Sequence, residues 1–213
     1  MLWRTRNPQR ALRSAPAGFI HPSRPVLAEK PPSGPGWAHE VKHDGYRLQV
    51  HIRGSRVRLF TMNGADWTDR YPRIVEEAVR LKRDAVIDAE VICTDEQGRA
   101  DFGRLHSRCF EDEGIACAFD LLRLDEDDLR RRPLADRKTA LRKLLSKSKG
   151  GIQFVAHAEM PGDEAFQAAC ELGLEGIVSK RMTASYKSGP CKSWVKTRNP
   201  KSPAYLRIAD GSW

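Results

Sequence analysis

No stretch of the 213 residues approaches the run of about 20 apolar positions that a membrane-crossing helix needs. The N-terminus has no apolar core of the secretory-signal type. The five cysteines, Cys93, Cys109, Cys117, Cys170 and Cys191, form no CxxC pair. An odd, scattered set argues against a disulfide framework or a zinc site and fits a reducing cytosol. The six histidines contain no HExxH. His39 and His43 flank Lys42 and read as structural. No internal repeat is present either.

The remainder is an ordinary soluble composition with a high charge content, 40% hydrophobic and 31% charged. The length indicates one domain, or one with a small appendage, and is enough to bury a core without staples. The net charge of +9 is unevenly spread. Residues 1–30 hold Arg4, Arg6, Arg10, Arg13, Arg24 and Lys30 against Glu29 alone, and residues 180–213 hold eight Lys and Arg against Asp210 alone. Positive charge at both ends points to a polyanionic partner; a solvated basic surface is an equally good reading of charge alone.

Residues 1–36 are rich in Arg, Pro, Ala and Ser and end in Pro-Pro-Ser-Gly-Pro-Gly, which predicts an extended, irregular lead-in. Order is expected to tighten near Trp37. Tyr46, Leu48, Val50 and Ile52 alternate with polar residues, a strand period. Arg53-Gly54-Ser55 makes a hairpin turn into a returning strand over 57–60. Helical spacing predicts a helix over 71–82, another over 134–145 with Pro133 at its first turn, and a third over 163–172 stopped by Gly173. Strands are expected over 85–93, 115–122, 154–156, 176–180 and 193–196. Hairpins with interspersed helices favour α+β over a doubly wound parallel sheet.

Lys42-His43-Asp44-Gly45-Tyr46-Arg47 places a lysine before a tight Asp-Gly turn and an arginine in the following strand. A neighbouring guanidinium would disfavour the ammonium form of Lys42 and leave more nucleophilic amine. Alone, this is as well read as a surface turn. Other pieces follow in order. Asp88-Ala89-Glu90 sets two carboxylates on one strand face. Phe119-Asp120 ends an apolar strand, Glu175 opens one that carries Lys180, and Trp194-Val195-Lys196-Thr197-Arg198 puts two cations on one face. Each piece has a bland reading; their fixed order is far more specific.

Over roughly residues 20–205 the sequence resembles the nucleotidyltransferase superfamily of ATP-dependent DNA ligases, in particular the ligase module of bacterial end-joining ligases. Trp37 through Arg47 carries the likeness without a break, as do Arg58-Leu59-Phe60-Thr61, Asn63-Gly64, Trp67-Thr68 and Tyr71-Pro72. The resemblance implies an α+β nucleotidyltransferase (ATP-grasp-like) fold of antiparallel sheets flanked by helices. It implies a basic, flexible segment over 1–20, an adenylation domain over 21–199 and a short tail over 200–213 where family ligases continue into an OB-fold domain. Lys42 would attack the α-phosphate of ATP and form lysyl-AMP, with AMP then passed to a DNA 5′-phosphate in repair or recombination. Glu40 and Val41 would line the nucleotide, Glu40 reading the adenine amino group and Phe119 stacking on the base. Arg47 would hold the ribose or incoming phosphate. Glu90 and Glu175 would serve the ribose and a divalent metal, and Lys180, Lys196 and Arg198 the phosphates. Oxygen-only ligands favour Mg²⁺ or Mn²⁺. Implied partners are nicked or broken duplex DNA and an OB-fold domain or end-joining protein in trans, with a monomeric chain, no membrane and a bacterial cytosolic location.

Three departures from the family pattern stand out. Met62 replaces an arginine that grips the 5′-phosphate of a nick, a loss of about 1.5–3 kcal/mol. Arg198 stands where lysine is usual, and Ala89 where glycine is. Residues 200–213 are too few for a five-stranded barrel. The readings that remain open are an active ligase, a partial adenylyltransferase that needs a partner, an RNA ligase or GTP-using relative, and a non-enzymatic DNA-binding module. DNA affinity is expected to fall steeply with salt and to show little sequence preference.

Overall fold

The computed structural model describes residues 16–210, with side chains through Arg207. The expected flexible segment lies largely outside these residues; of its end, Ile20 is buried in the core.

Two sheets face each other. The larger is built from β3 (Tyr46–Arg53), β4 (Arg56–Thr61), β5 (Ala85–Ile92), β6 (Ile115–Leu124) and the short β7 (Asp127–Asp128), in the order β4-β3-β5-β6-β7 and all antiparallel. A short β8 (Ile152–Phe154) runs parallel to β6. The smaller sheet has β1 (Ser23–Leu27), β2 (Trp37–Val41), β9 (Gly176–Arg181) and β10 (Gly189–Arg198) in the order β1-β10-β9-β2. Only its β1–β10 pair is parallel. The α+β architecture is the one expected from the pattern of elements.

The alternation in β3 and β5 sorts side chains between two cores. Leu48, Val50, Ile52, Ile87, Ala89 and Val91 point outward, under α1 (Pro72–Arg80) and α3 (Leu134–Leu144). The opposite face carries Arg47, Gln49, Asp88 and Glu90 and meets the smaller sheet through a second cluster that includes Phe119, Tyr186 and Trp194. Strand β6 changes parity between them. Its pairing with β5 skips Phe119 and Leu122; the alternation that sets Ile115, Cys117 and Phe119 toward the facing sheet slips by one after Phe119, so that Leu122 faces it too. Helix α4 (Gly162–Glu171) covers the outer face of the smaller sheet, with Ala165 and Ala169 against Ile177.

Three elements depart from the sequence reading. The proline-rich lead-in contains a true strand, β1, with Pro25 next to a register shift on a sheet edge. An edge position and a bulge are where a residue without an amide hydrogen is tolerated. A short helix, α2 (Phe102–Ser107), capped by the Asp101 carboxylate accepting from the Arg104 amide, was not anticipated. Neither was α5 (Pro203–Asp210), which occupies the segment read as a tail.

Candidate functional site

Lys42 leaves the end of β2 and its amide donates to the Gly176 carbonyl, 2.9 Å away, at the start of β9. Two glycines make this junction possible. A Cβ on Gly45 would sit 2.2 Å from the Val91 carbonyl, and one on Gly176, whose φ is +140°, would sit 2.0 Å from the Thr197 carbonyl. Each glycine thus lets neighbouring strands of its own sheet approach closely beside Lys42, β3 against β5 in the larger sheet and β9 against β10 in the smaller. Its Nζ lies 2.5 Å from Glu175 Oε1 and opens onto a cleft of about 920 Å³ that also touches Ile92, Asp44 and Arg207.

The expected neighbour of Lys42 was Arg47, and here the structure differs. Arg47 is committed to Asp88, donating from Nε to Oδ1 at 2.6 Å and from Nη2 to Oδ2 at 2.7 Å. Tyr186 adds a third bond to Asp88 Oδ2 at 2.7 Å, and its hydroxyl accepts from the Ser23 amide at 2.9 Å. Asp88 is fully buried, so the opposite charge wins the guanidinium. Burial, then Asp88, push the Tyr186 hydroxyl far above its ordinary range, which leaves it a donor.

Glu40 lies deeper on β2. Both of its oxygens are taken: Lys138 Nζ of α3 is 2.5 Å from Oε1 and Lys180 Nζ of β9 is 2.6 Å from Oε2. All three side chains are only 2–3% exposed. Burial would raise the Glu40 carboxyl, but Lys180 and Lys138 outweigh it and hold it below the usual range. Lys180 is itself pulled down to about 8, chiefly by burial. Two cations lie over the bulged Phe119 ring, Lys180 Nζ at 4.2 Å and the Arg47 guanidinium at 4.5 Å from its centroid. Lys180 Nζ is also 4.1 Å from the Trp194 ring.

Glu90 sits opposite Arg47 across β3 and β5. No ion pair or side-chain hydrogen bond reaches it among the described residues. Burial pushes it up to about 7, opposed by Arg47 and Lys42 and reinforced by Glu175. Lys196 and Arg198 share the face of β10 that carries Trp194. Burial lowers the Lys196 ammonium, and Arg198 and Lys42 lower it further.

The structure thus gathers Lys42, Glu175, Glu90, Lys196 and Arg198 at one end of the space between the sheets, and Glu40, Lys180, Phe119 and Arg47 behind them. Val41 is apart from that cluster. Strand alternation turns it away from Glu40, and it is 39% exposed along the open cleft. Met62 is exposed, and the nearby Arg58 is paired with Asp66. The sequence reading missed Lys138, Tyr186 and the part played by Asp88. Lys138 carried a signal: it stands four residues after Leu134 and three before Leu141, on the buried face of α3. Tyr186 carried none.

A family model described as "ATP dependent DNA ligase domain" matches residues 27–198. The multifunctional non-homologous end joining protein LigD of Pseudomonas aeruginosa is 38% identical over 186 residues, covering 84% of this chain and 22% of that protein. A probable DNA ligase of Streptomyces griseus is 36% identical over 204 residues, covering 83% of this chain and 40% of that protein. Among solved structures, a mycobacterial DNA ligase D complexed with ATP and MES superposes with a TM-score of 0.75 at 29% identity, over 84% of this chain and 60% of that one. The chain therefore spans about a fifth to two fifths of the length of these two curated relatives.

Proposed function

The chain belongs to the ATP-dependent DNA ligase domain family and has its nucleotidyltransferase fold, and on that premise we propose that Lys42 is the nucleophile of a self-adenylation reaction. The observation that carries the proposal is the 2.5 Å contact between Lys42 Nζ and Glu175 at the mouth of a cleft, with Lys196 close enough to both, and to Arg198, to feel their charges. Glu175 is placed to take the ammonium proton. The freed amine attacks the α-phosphorus of ATP, a P–N bond forms, and the bond to the bridging oxygen breaks as pyrophosphate leaves with the electron pair. Lys196, Arg198 and Lys180 offset the charge on the phosphates, which is where most of the acceleration in phosphoryl transfer originates. The bulged Phe119 supplies the surface for the base, and Arg47, fixed by Asp88 and Tyr186, is oriented toward the ribose or incoming phosphate.

A divalent cation, Mg²⁺ or Mn²⁺, fits Glu90 and Glu175. Magnesium is usually held by one or two carboxylates together with substrate phosphates, and Glu90 is a half-buried acid with no cation paired to it among the described residues. Such an ion would neutralise phosphate charge. In this reading the AMP then passes to a DNA 5′-phosphate at a nick or broken end. Sealing would draw on an OB-fold domain or an end-joining protein acting alongside; end joining is what the name of the Pseudomonas aeruginosa relative prints. No described helix is long and apolar enough to cross a membrane.

The test is incubation with α-labelled ATP and Mg²⁺ or Mn²⁺, followed by denaturation. Label is expected on the unmodified protein and absent from Lys42→Ala. An unlabelled wild-type protein with both metals, or a labelled variant, overturns the assignment.

A further inference from the structure

Lys138 belongs to the buried cluster, yet neither spacing nor family likeness gives it a part in the reaction. Its surroundings differ from those of Lys180. Lys138 Nζ bonds Glu40 Oε1, donates to the Val155 carbonyl at 3.0 Å and lies 4.8 Å from the Phe154 ring. The last two are groups of the protein wall at β8. Lys180 Nζ bonds the other Glu40 oxygen but rests over Phe119 and Trp194, in the slot proposed above for the base.

A purine cannot stack on Phe119 while both cations cover the ring. Arg47 is pinned by two bonds to Asp88, whereas a single carboxylate oxygen holds Lys180. Lys180 is therefore the group that yields, and the triphosphate is its natural destination. Its departure would leave Glu40, 3% exposed, as a lone buried carboxylate, a state that is either strongly destabilising or neutralised by protonation. Lys138 prevents that outcome.

We propose that Lys138 is the permanent counter-ion of Glu40, a positioning residue that keeps this carboxylate fixed and ionised for the adenine amino group while Lys180 exchanges from Glu40 to a nucleotide phosphate. The inference rests on the self-adenylation reading and extends it to base selection.

Self-adenylation would be measured against nucleotide concentration for the unmodified protein and Lys138→Met. The probes are ATP and the triphosphate of purine riboside, which lacks the 6-amino group. The unmodified protein is expected to prefer ATP by about ten- to hundredfold, the range for one hydrogen bond to a charged group. In Lys138→Met that preference collapses toward unity and half-saturation by ATP moves up by a similar factor. Should Lys138→Met fold poorly, the double variant Lys138→Met/Glu40→Gln removes the lone charge. It is expected to regain the thermal midpoint but not the preference for ATP. A labelled Lys138→Met, or labelled double variant, that keeps the wild-type preference overturns this inference alone. Absence of label on the unmodified protein overturns both readings.

Discussion

Arg137→Met removes the cation of the most enclosed ion pair among the described residues and tests whether that pair anchors the bulged strand beneath the site. Arg137 and Asp120 are both 0% exposed and joined by two bonds of 2.7 and 2.8 Å. Arg137 Nη1 also donates to the Arg132 and Ala184 carbonyls at 2.6 and 3.1 Å. Leaving one member of a buried pair behind costs about 3–5 kcal/mol. Two carbonyls losing their donor add about 1 kcal/mol each. The total, roughly 5–7 kcal/mol, is of the order of the whole stability of many domains, about 5–15 kcal/mol. With a urea slope of about 2 kcal/mol per M, the unfolding midpoint should fall by about 2.5–3.5 M, which for a modest starting stability means no folded baseline at all. Unfolding can be followed by tryptophan emission, since Trp194 is buried between the sheets. Asp120→Asn/Arg137→Met separates the causes. The amide keeps the acceptor that bonds the Leu121 amide at 2.9 Å and removes the lone charge, so it should recover several kcal/mol of the loss. If Arg137→Met unfolds within about 1 kcal/mol of wild type, or if the double variant is no better than the single one, the argument from an uncompensated buried carboxylate fails.

Two further outcomes follow from the site. Burial raises the Glu90 carboxyl to about 7 in the folded chain, so its contribution to stability is complete below the unfolded value of about 4.3 and is lost as pH rises through 7. Glu90→Gln should therefore gain thermal stability relative to wild type between pH 5 and pH 8; parallel melting-temperature curves across that range would refute it. Arg207 ties α5 to the turn between Lys42 and Arg47 through an ion pair with Asp44 and lies 4.3 Å from the Phe102 ring. Arg207→Ala should change global stability by less than about 1 kcal/mol yet speed proteolytic cleavage after residue 199, and an unchanged cleavage rate would count against a latch at that position.

Legibility of the chain followed the range of the interactions. Strands β3 and β5 were visible because one face is packed and the other polar, which writes a period of two into the sequence. The Lys42–Arg47 turn was visible because its Gly45 is forced: a Cβ there would lie 2.2 Å from the Val91 carbonyl. The edge strand β1 was hidden because its prolines carry a local signal against strand, whereas its pairing with β10 is set 166–169 residues away. The charge partners were hidden for the same reason: Lys138 meets Glu40 across 98 residues and Tyr186 meets Asp88 across 98. Periodicity marks a buried lysine as anomalous but cannot name the acid it pairs with. The bulge at Phe119 was likewise invisible, because a register shift depends on the partner strand.

The charge inventory between the sheets then explains why this arrangement suits a polyphosphate. Six cations face the space (Lys42, Arg47, Lys138, Lys180, Lys196 and Arg198) against the carboxylates of Glu40, Asp88, Glu90 and Glu175. Glu90, at about 7, carries only part of its charge near neutral pH. Local pairing satisfies Glu40, Asp88 and Glu175 and leaves the excess at Lys196 and Arg198, where burial already penalises the Lys196 ammonium. The fold thus concentrates unfavourable positive charge at the end of the space that holds Lys42. An anion entering there relieves it, and by linkage the same ligand stabilises the fold. On the proposed reading, a neutral nucleoside would gain the stacking surface of Phe119 but not this relief, so the triphosphate, not the base, would supply most of the affinity, and the Glu40–Lys138 pair the selection.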